Sequence, residues 1–234
     1  MKKGGYEGIA REILTLNELN LAYVPSFITL QNAKNISNEF YKRFFNHKRD
    51  KKIDDLDEKI TYKRNNSMKD YNGLCSKGTE KSLIILPSYD NAKLAVTATH
   101  EKAHAYQKND YRNEVIPSFF DVLFSVYSEQ NNPGILNNNL DYKIKEAKKA
   151  ASLYMNLCKS YDDEELIAKI NYMFQFTESI RLVNAYLNKN KKIEITELLD
   201  GVLFGNLKVS YLYPVIYSDK SSNIKEVIKT LRNT

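Results

Sequence analysis

The stretch "VTATHEKAHAYQ", residues 96–107, decides how this chain is read. It carries two of only three histidines, His100 and His104, four residues apart, with Glu101 directly after the first. On a helix, positions four apart are neighbours on one face, so both imidazoles reach one point in space. Glu101 lies about 100° around the axis from His100 and about 60° from His104, at the edge of that face. Two imidazoles beside a carboxylate suit a hydrolytic zinc ion and its water. The spacing therefore predicts a metal-binding helix, with Glu101 as the base beside the ligands His100 and His104.

On the N-terminal side, "KSLIILPSYDN" (81–91) holds a short apolar run, Ser82 to Leu86, closed by Pro87. That run reads as a strand. Asp90 or Asn91 then caps the metal helix. The preceding "YNGLCSKGTE" (71–80) contains Gly73 and Gly78 and is expected to form a hairpin with the strand. An edge strand at this place holds an extended peptide by backbone hydrogen bonds.

On the C-terminal side lies "NDYRNEVIPSFFDVLF" (109–124). A catalytic zinc takes three protein ligands and leaves one position open. With His47 the only other histidine, the third ligand is expected to be acidic. Glu114 opens the next helix after a polar turn and can face back onto the metal, with Asp110 and Glu129 as competitors. Asp121, two turns further along the same face, is placed to orient a histidine as a hydrogen-bond acceptor.

Elsewhere helical periodicity dominates. Residues 31–46 carry Ile36, Phe40 and Phe44, and residues 141–160 carry Ile144, Ala147, Ala151, Tyr154 and Cys158. "DDEELIAKINYMFQFTESIRLVNAYL" (162–187) opens with acidic residues, as helix N-termini do. Further helices are expected near 195–204 and 223–232. No repeat or long linker divides the chain. It reads as one domain, mainly α with a small β element (α+β). N-terminal helices and the sheet occupy 1–90, the two metal-site helices 91–130, and a helical C-terminal part 141–234.

Hydrophobic residues at 42% and aromatics at 12% indicate a globular protein. The net charge of +6 is dispersed over Lys-rich faces, and the densest basic run, "HKRDKK" at 47–52, is short. Nucleic acid is therefore not expected as a partner. Cys75 and Cys158 are too few for a disulfide framework. "MKKGGYEGIAREIL" has no apolar core of a signal peptide, and "VIPSFFDVLFSVY" is too short to span a bilayer. A reducing cytoplasm is the expected compartment, with no membrane association.

The segment "NGLCSKGTEKSLIILPSYDNAKLAVTATHEKAHAY" (72–106), followed by "EVIPSFFD", resembles the catalytic segment of zinc oligopeptidases of the thimet oligopeptidase and oligoendopeptidase type. In that family an apolar strand and a Tyr or Asn-Tyr turn precede a Thr, three residues before HExGH, and a Glu-bearing stretch follows. Thr97 stands at the Thr position and Glu114 at that of the third ligand. Asp121 stands where the family has a second Glu. The resemblance implies a zincin-like catalytic domain holding one zinc ion on His100, His104 and Glu114. It also implies that Glu101 is the general base of peptide-bond hydrolysis. "MFQFTESI" (173–180) resembles the helix that follows in these enzymes. "SYLYPVIY" (210–217) is similar to their Tyr-rich segment, which makes Tyr211, Tyr213 and Tyr217 the candidates for stabilising the oxyanion.

The chain departs from the family at Ala103, where a Gly is usual, and in lacking a histidine near the Tyr-rich segment. These departures leave open a second reading, a zinc-binding regulatory or interaction protein that cleaves little. The helical half that walls the family's channel is also missing. An open cleft is expected, with one wall from strand 82–86 and the metal helix and the other from the C-terminal helices with "SYLYPVIY". Such a cleft accepts extended segments of peptides or unfolded polypeptides, or is completed by a second copy or another subunit.

Overall fold

A sheet of three short strands packs against the helix that carries His100 and His104. The computed structural model describes residues 4–19, 28–65, 73–88, 92–109, 113–157, 164–218 and 223–233. Within these, α1 (Gly4–Leu14), α2 (Leu30–Phe44) and α3 (Asp50–Asp57) precede β1 (Ile60–Asn65), β2 (Leu74–Lys77) and β3 (Ser82–Pro87). Then follow α4 (Ala92–Tyr106), α5 (Val115–Ser128), α6 (Ile135–Leu157), α7 (Glu164–Leu187) and α8 (Lys192–Phe204). A single 3-10 turn (Val209–Leu212) leads into α9 (Tyr213–Ser218), and α10 (Ile224–Arg232) ends the described chain. The architecture is α+β, mostly helical with one three-stranded sheet.

The sheet runs in the order β1-β3-β2. β1 pairs parallel with β3, Ile60 opposite Ser82, and β2 pairs antiparallel with it, Leu74 opposite Ile85. The β2–β3 hairpin closes at Gly78, whose N–H donates to the Lys81 carbonyl at 2.9 Å. A Cβ on Gly78 would come within 2.7 Å of that carbonyl oxygen, so only glycine suits the turn. Ile84 and Leu86 of β3 are fully buried, as a central strand requires. Asp90 and Asn91, the expected caps of α4, lie outside the described residues, as do Asp110 and Cys158.

α4 is buried on nearly every face, packed among β3, α2 and α5. Its alanines 92, 95, 98, 103 and 105 are small enough to let three neighbours approach. Such a helix shows little amphipathic pattern. α2 is capped by the Thr29 hydroxyl, which accepts from the Asn32 N–H at 3.2 Å. Its buried stripe is Ala33, Ser37, Phe40, Tyr41 and Phe44, while Ile36 is 42% exposed. Phe40, Tyr41 and Phe44 meet Phe119, Phe120 and Phe124 of α5 and Tyr186 of α7 in an aromatic core. The Tyr41 hydroxyl donates to the Thr99 carbonyl at 2.8 Å and ties this core to α4.

Lys102, inside the HEKAH run, points away from the site and is fully buried. Its ammonium lies 3.1 Å from Asp57 and donates to the Lys34 carbonyl and to Asn38 Oδ1. Asp57 also accepts from the Tyr62 hydroxyl at 2.8 Å and pairs with Lys34 at 3.2 Å. Burial pushes Lys102 down to about 8, against the pull of Asp57. This buried network fixes the back of α4 to α2, α3 and β1.

Candidate metal centre

α5 begins nine positions after α4 ends and packs against it. Asn113 accepts the Val115 N–H at 2.9 Å and Glu114 stands at the N-cap position of α5. Pro117 falls in the first helical turn, where its missing N–H breaks no helical bond. The Glu114 carboxylate thereby faces the histidines of α4.

Glu114 Oε2 lies 3.1 Å from His100 Nε2, and Glu114 Oε1 lies 3.3 Å from His104 Nε2. One ligand atom from each of the three residues falls within 4.8 Å of the others. Around a tetrahedral zinc with bonds of about 2.0–2.1 Å, neighbouring ligand atoms stand roughly 3.3 Å apart. Two imidazole nitrogens and a carboxylate at these separations fit zinc both in chemistry and in size. His100 Nδ1 bonds Asp121 Oδ2 at 2.9 Å, the outer contact that orients a metal-binding imidazole. Burial acts to lower the His100 pKa, but hydrogen bonds to Asp121 and Glu114 outweigh it and raise it to about 10. The same contacts, with His104, overcome burial at Glu114 and hold its carboxyl well below the ordinary range.

Glu101 is 5% exposed, and burial pushes its carboxyl above the usual carboxylate value, partly offset by His100 and His104. A raised pKa moves a carboxylate toward the range in which a general base works at neutral pH. Gly73, just before β2, makes room for it. A Cβ there would stand 2.6 Å from Glu101 Cγ and 2.7 Å from Glu101 Oε1. Cys75, the next residue but one, is pushed up to about 12 by burial and by Glu101, which keeps it a neutral thiol.

These residues line a cavity of about 750 Å³. β2 forms one wall from Gly73 to Lys77, and α4 contributes Lys93, Val96, Thr97, His100, Glu101 and His104. The opposite wall comes from α6 and α7, through Tyr142, Lys143, Glu146 and Tyr172. This corrects the expectation that "SYLYPVIY" forms it. Tyr211, Tyr213 and Tyr217 are not among the lining residues. Tyr211 is 57% exposed, Tyr213 packs on Phe174, and the Tyr217 hydroxyl donates to Glu178 at 2.8 Å. The 3-10 turn and α9 carry that segment against Phe174 and Glu178 of α7, and none of its three tyrosines lines this cavity.

Glu129, the competing ligand, accepts the N–H groups of Gly134 and Leu136 at 2.7 and 2.8 Å and caps the start of α6. The sequence reading missed Gly73, Lys93, Tyr142, Lys143 and Tyr172. Lys93 alone carried a signal, since it precedes His100 by two helical turns on one face. No helix among the described residues is long and apolar enough to cross a membrane. Comparison of the chain with protein-family models, with curated proteins and with solved structures gives no match, and the geometry of the site therefore carries the functional reading.

Proposed function

We propose that this chain is a zinc-dependent metallopeptidase that hydrolyses peptide bonds in extended polypeptide segments. The observation that carries the reading is the meeting of His100, His104 and Glu114 at zinc-ligand separations beside Glu101, inside one cavity. His100 and His104 would hold the ion through Nε2 and Glu114 through its carboxylate. When bound there, zinc supplies polarisation of the scissile carbonyl and acidifies water to a pKa of about 7.

The chain's own residues account for the remaining steps. Glu101 takes the proton of the attacking water and delivers it to the leaving amine. Asp121 holds His100 in the tautomer that presents Nε2. β2 lies at the edge of the sheet and lines the cavity, so a substrate strand can lie along it by backbone hydrogen bonds. The candidates for the oxyanion donor are the tyrosines that line the cavity, Tyr142 and Tyr172. Both walls come from this chain, so the proposal needs no second copy to complete the site. A reducing cytoplasm is its expected setting, in keeping with the free Cys75 thiol.

Metal analysis joined to cleavage of a mixed peptide library tests this. One zinc per chain is expected, and Glu101→Gln should keep the zinc while losing about 10²–10⁴-fold in turnover. Full zinc occupancy of His104→Ala after dialysis against a chelator refutes the centre. Zinc uptake without any peptide cleavage would leave a metal-binding protein and refute the enzyme.

A further inference from the structure

Two lysines share the cavity with His100, His104 and Glu114; Lys143 pairs with Asp121, and neither ammonium has a step of its own in the hydrolytic mechanism. Lys93 is 7% exposed and Lys143 is 8% exposed, yet both line the cavity wall. Ammonium groups are rarely buried to this degree without a role for their charge. We propose that Lys93 and Lys143 form a carboxylate-binding subsite, which selects substrates bearing an acidic side chain or a free C-terminal carboxylate two or three residues from the scissile bond. The proposal deepens the peptidase reading and rests on it.

The spacing comes from α4. Lys93 precedes His100 by seven residues on the face that carries Val96, Thr97 and His104 into the cavity. Seven residues rise about 10 Å along a helix. An extended peptide advances about 3.3 Å per residue, so that distance equals about three substrate residues, less what the lysine's own reach covers. Lys143 approaches from α6. Its ammonium lies 3.0 Å from Asp121 Oδ2 and donates to the Ser118 hydroxyl at 3.2 Å.

The carboxylates facing this region are shared. Asp121 Oδ2 also bonds His100, and Glu146 pairs with Lys149 at 2.6 Å. The Lys93 ammonium stands 4.2 Å over the Tyr142 ring, a cation–π contact that steadies its head at the cavity wall. Burial, with Lys143 nearby, pushes Lys93 down to about 7. An arriving carboxylate favours its charged form, and a buried charge-assisted contact outweighs an exposed one.

The test uses zinc-loaded Glu101→Gln protein, in which binding can be read without turnover. Four fluorescently labelled peptides share one sequence, with Glu or Gln near the scissile position and a free or amidated C-terminus, and anisotropy gives their affinities. We expect a carboxylate form to bind about tenfold or more tightly than its amide. Adding Lys93→Gln or Lys143→Gln should bring that ratio close to one. Each ratio is taken within one protein, so a partly unfolded variant does not distort it. A response only to Glu against Gln assigns the site to an acidic side chain, and a response only to the free terminus assigns it to the C-terminal carboxylate. A ratio near one before the lysines are changed, or one that survives Lys93→Gln, overturns the subsite. Should the chain with Glu101 intact still cleave the uncharged peptide, the peptidase reading stands without the subsite. A lysine-dependent preference in a chain that cleaves none of the four would instead remove the peptidase and leave a carboxylate-binding cavity.

Discussion

Replacing Gly73 by alanine should disable the general base without touching the metal. The new Cβ would stand 2.6 Å from Glu101 Cγ, 2.7 Å from Glu101 Oε1 and 2.8 Å from Thr97 Cγ2. Ordinary carbon–carbon contacts are about 3.5–4.0 Å, so some group must retreat by roughly 1 Å. The backbone at Gly73 is outside the left-handed region, so the effect is steric and local. β2 is held by its ladder to β3, and Thr97 is buried and stiff about χ1. The Glu101 side chain is therefore the group that moves. A misplacement of about 1 Å in a catalytic constellation costs on the order of 10²-fold in rate. The assay is kcat/KM on one peptide together with zinc content, for Gly73→Ala, Glu101→Gln and the double variant. Zinc content should be unchanged throughout. Because Gly73→Ala acts through Glu101, it should cost little more once Glu101 is already glutamine. A Gly73→Ala protein that cleaves at the parent rate refutes the reasoning, as does an equal loss in both backgrounds.

Three further outcomes follow from the site and its supports. In metal-free protein the His100 pKa is raised from 6.5 to about 10, so its stabilising contribution is complete below about pH 6.5 and is lost as pH climbs toward 10. The Tm of metal-free protein should fall across that window, and zinc uptake at neutral pH should release protons, read by calorimetry in buffers of differing ionisation enthalpy; a flat Tm and no proton release count against it. Glu114→Gln should weaken zinc binding strongly, whereas Glu129→Gln should spare zinc and cost about 1 kcal/mol in urea unfolding through the lost cap of α6; a larger zinc defect in the second variant reverses the assignment. Lys102→Ala leaves Asp57 with only Lys34 and Tyr62 as partners and should cost up to about 3–5 kcal/mol, while Lys102→Met with Asp57→Asn should recover much of that loss; equal stability of the two proteins would show that the network contributes little.

The histidine pair and Glu101 were legible because a helix turns residue spacing into proximity. Glu114 was legible because a short turn leaves few places for the next carboxylate. β3 announced itself as an apolar run, and the hairpin by its glycines. β1 and α3 gave no such signal. "ITYKRN" buries only Ile60 and pairs with a strand 22 positions later, a partnership that local pattern cannot reveal. The tyrosines fail for the same kind of reason. Which of 17 tyrosines meets the cavity depends on how α6 and α7 cross α4 and α5, a long-range packing outcome. Ile36 sits at the right period for a core residue yet faces outward, because the buried stripe of α2 drifts around its axis by way of Ser37 and Tyr41.

The docking of α1 has a consequence for how the protein comes to be made. Ala10 and Ile13 are fully buried, and α1 packs on α6, α7 and α10, all from the second half of the chain. The Glu12 carboxylate accepts the Ile224 N–H at 2.6 Å, across 212 residues of sequence. A ribosome adding about 5–20 residues per second leaves α1 without α6 for roughly 7–30 s and without α10 for roughly 10–40 s. Through that interval the histidines of α4 and Glu114 emerge before α6 and α7, which wall the cavity. The emerging chain thus carries His100, His104 and Glu114 ahead of the helices that wall their cavity, and the packing behind α6 and α7 is completed only when the first helix meets the last.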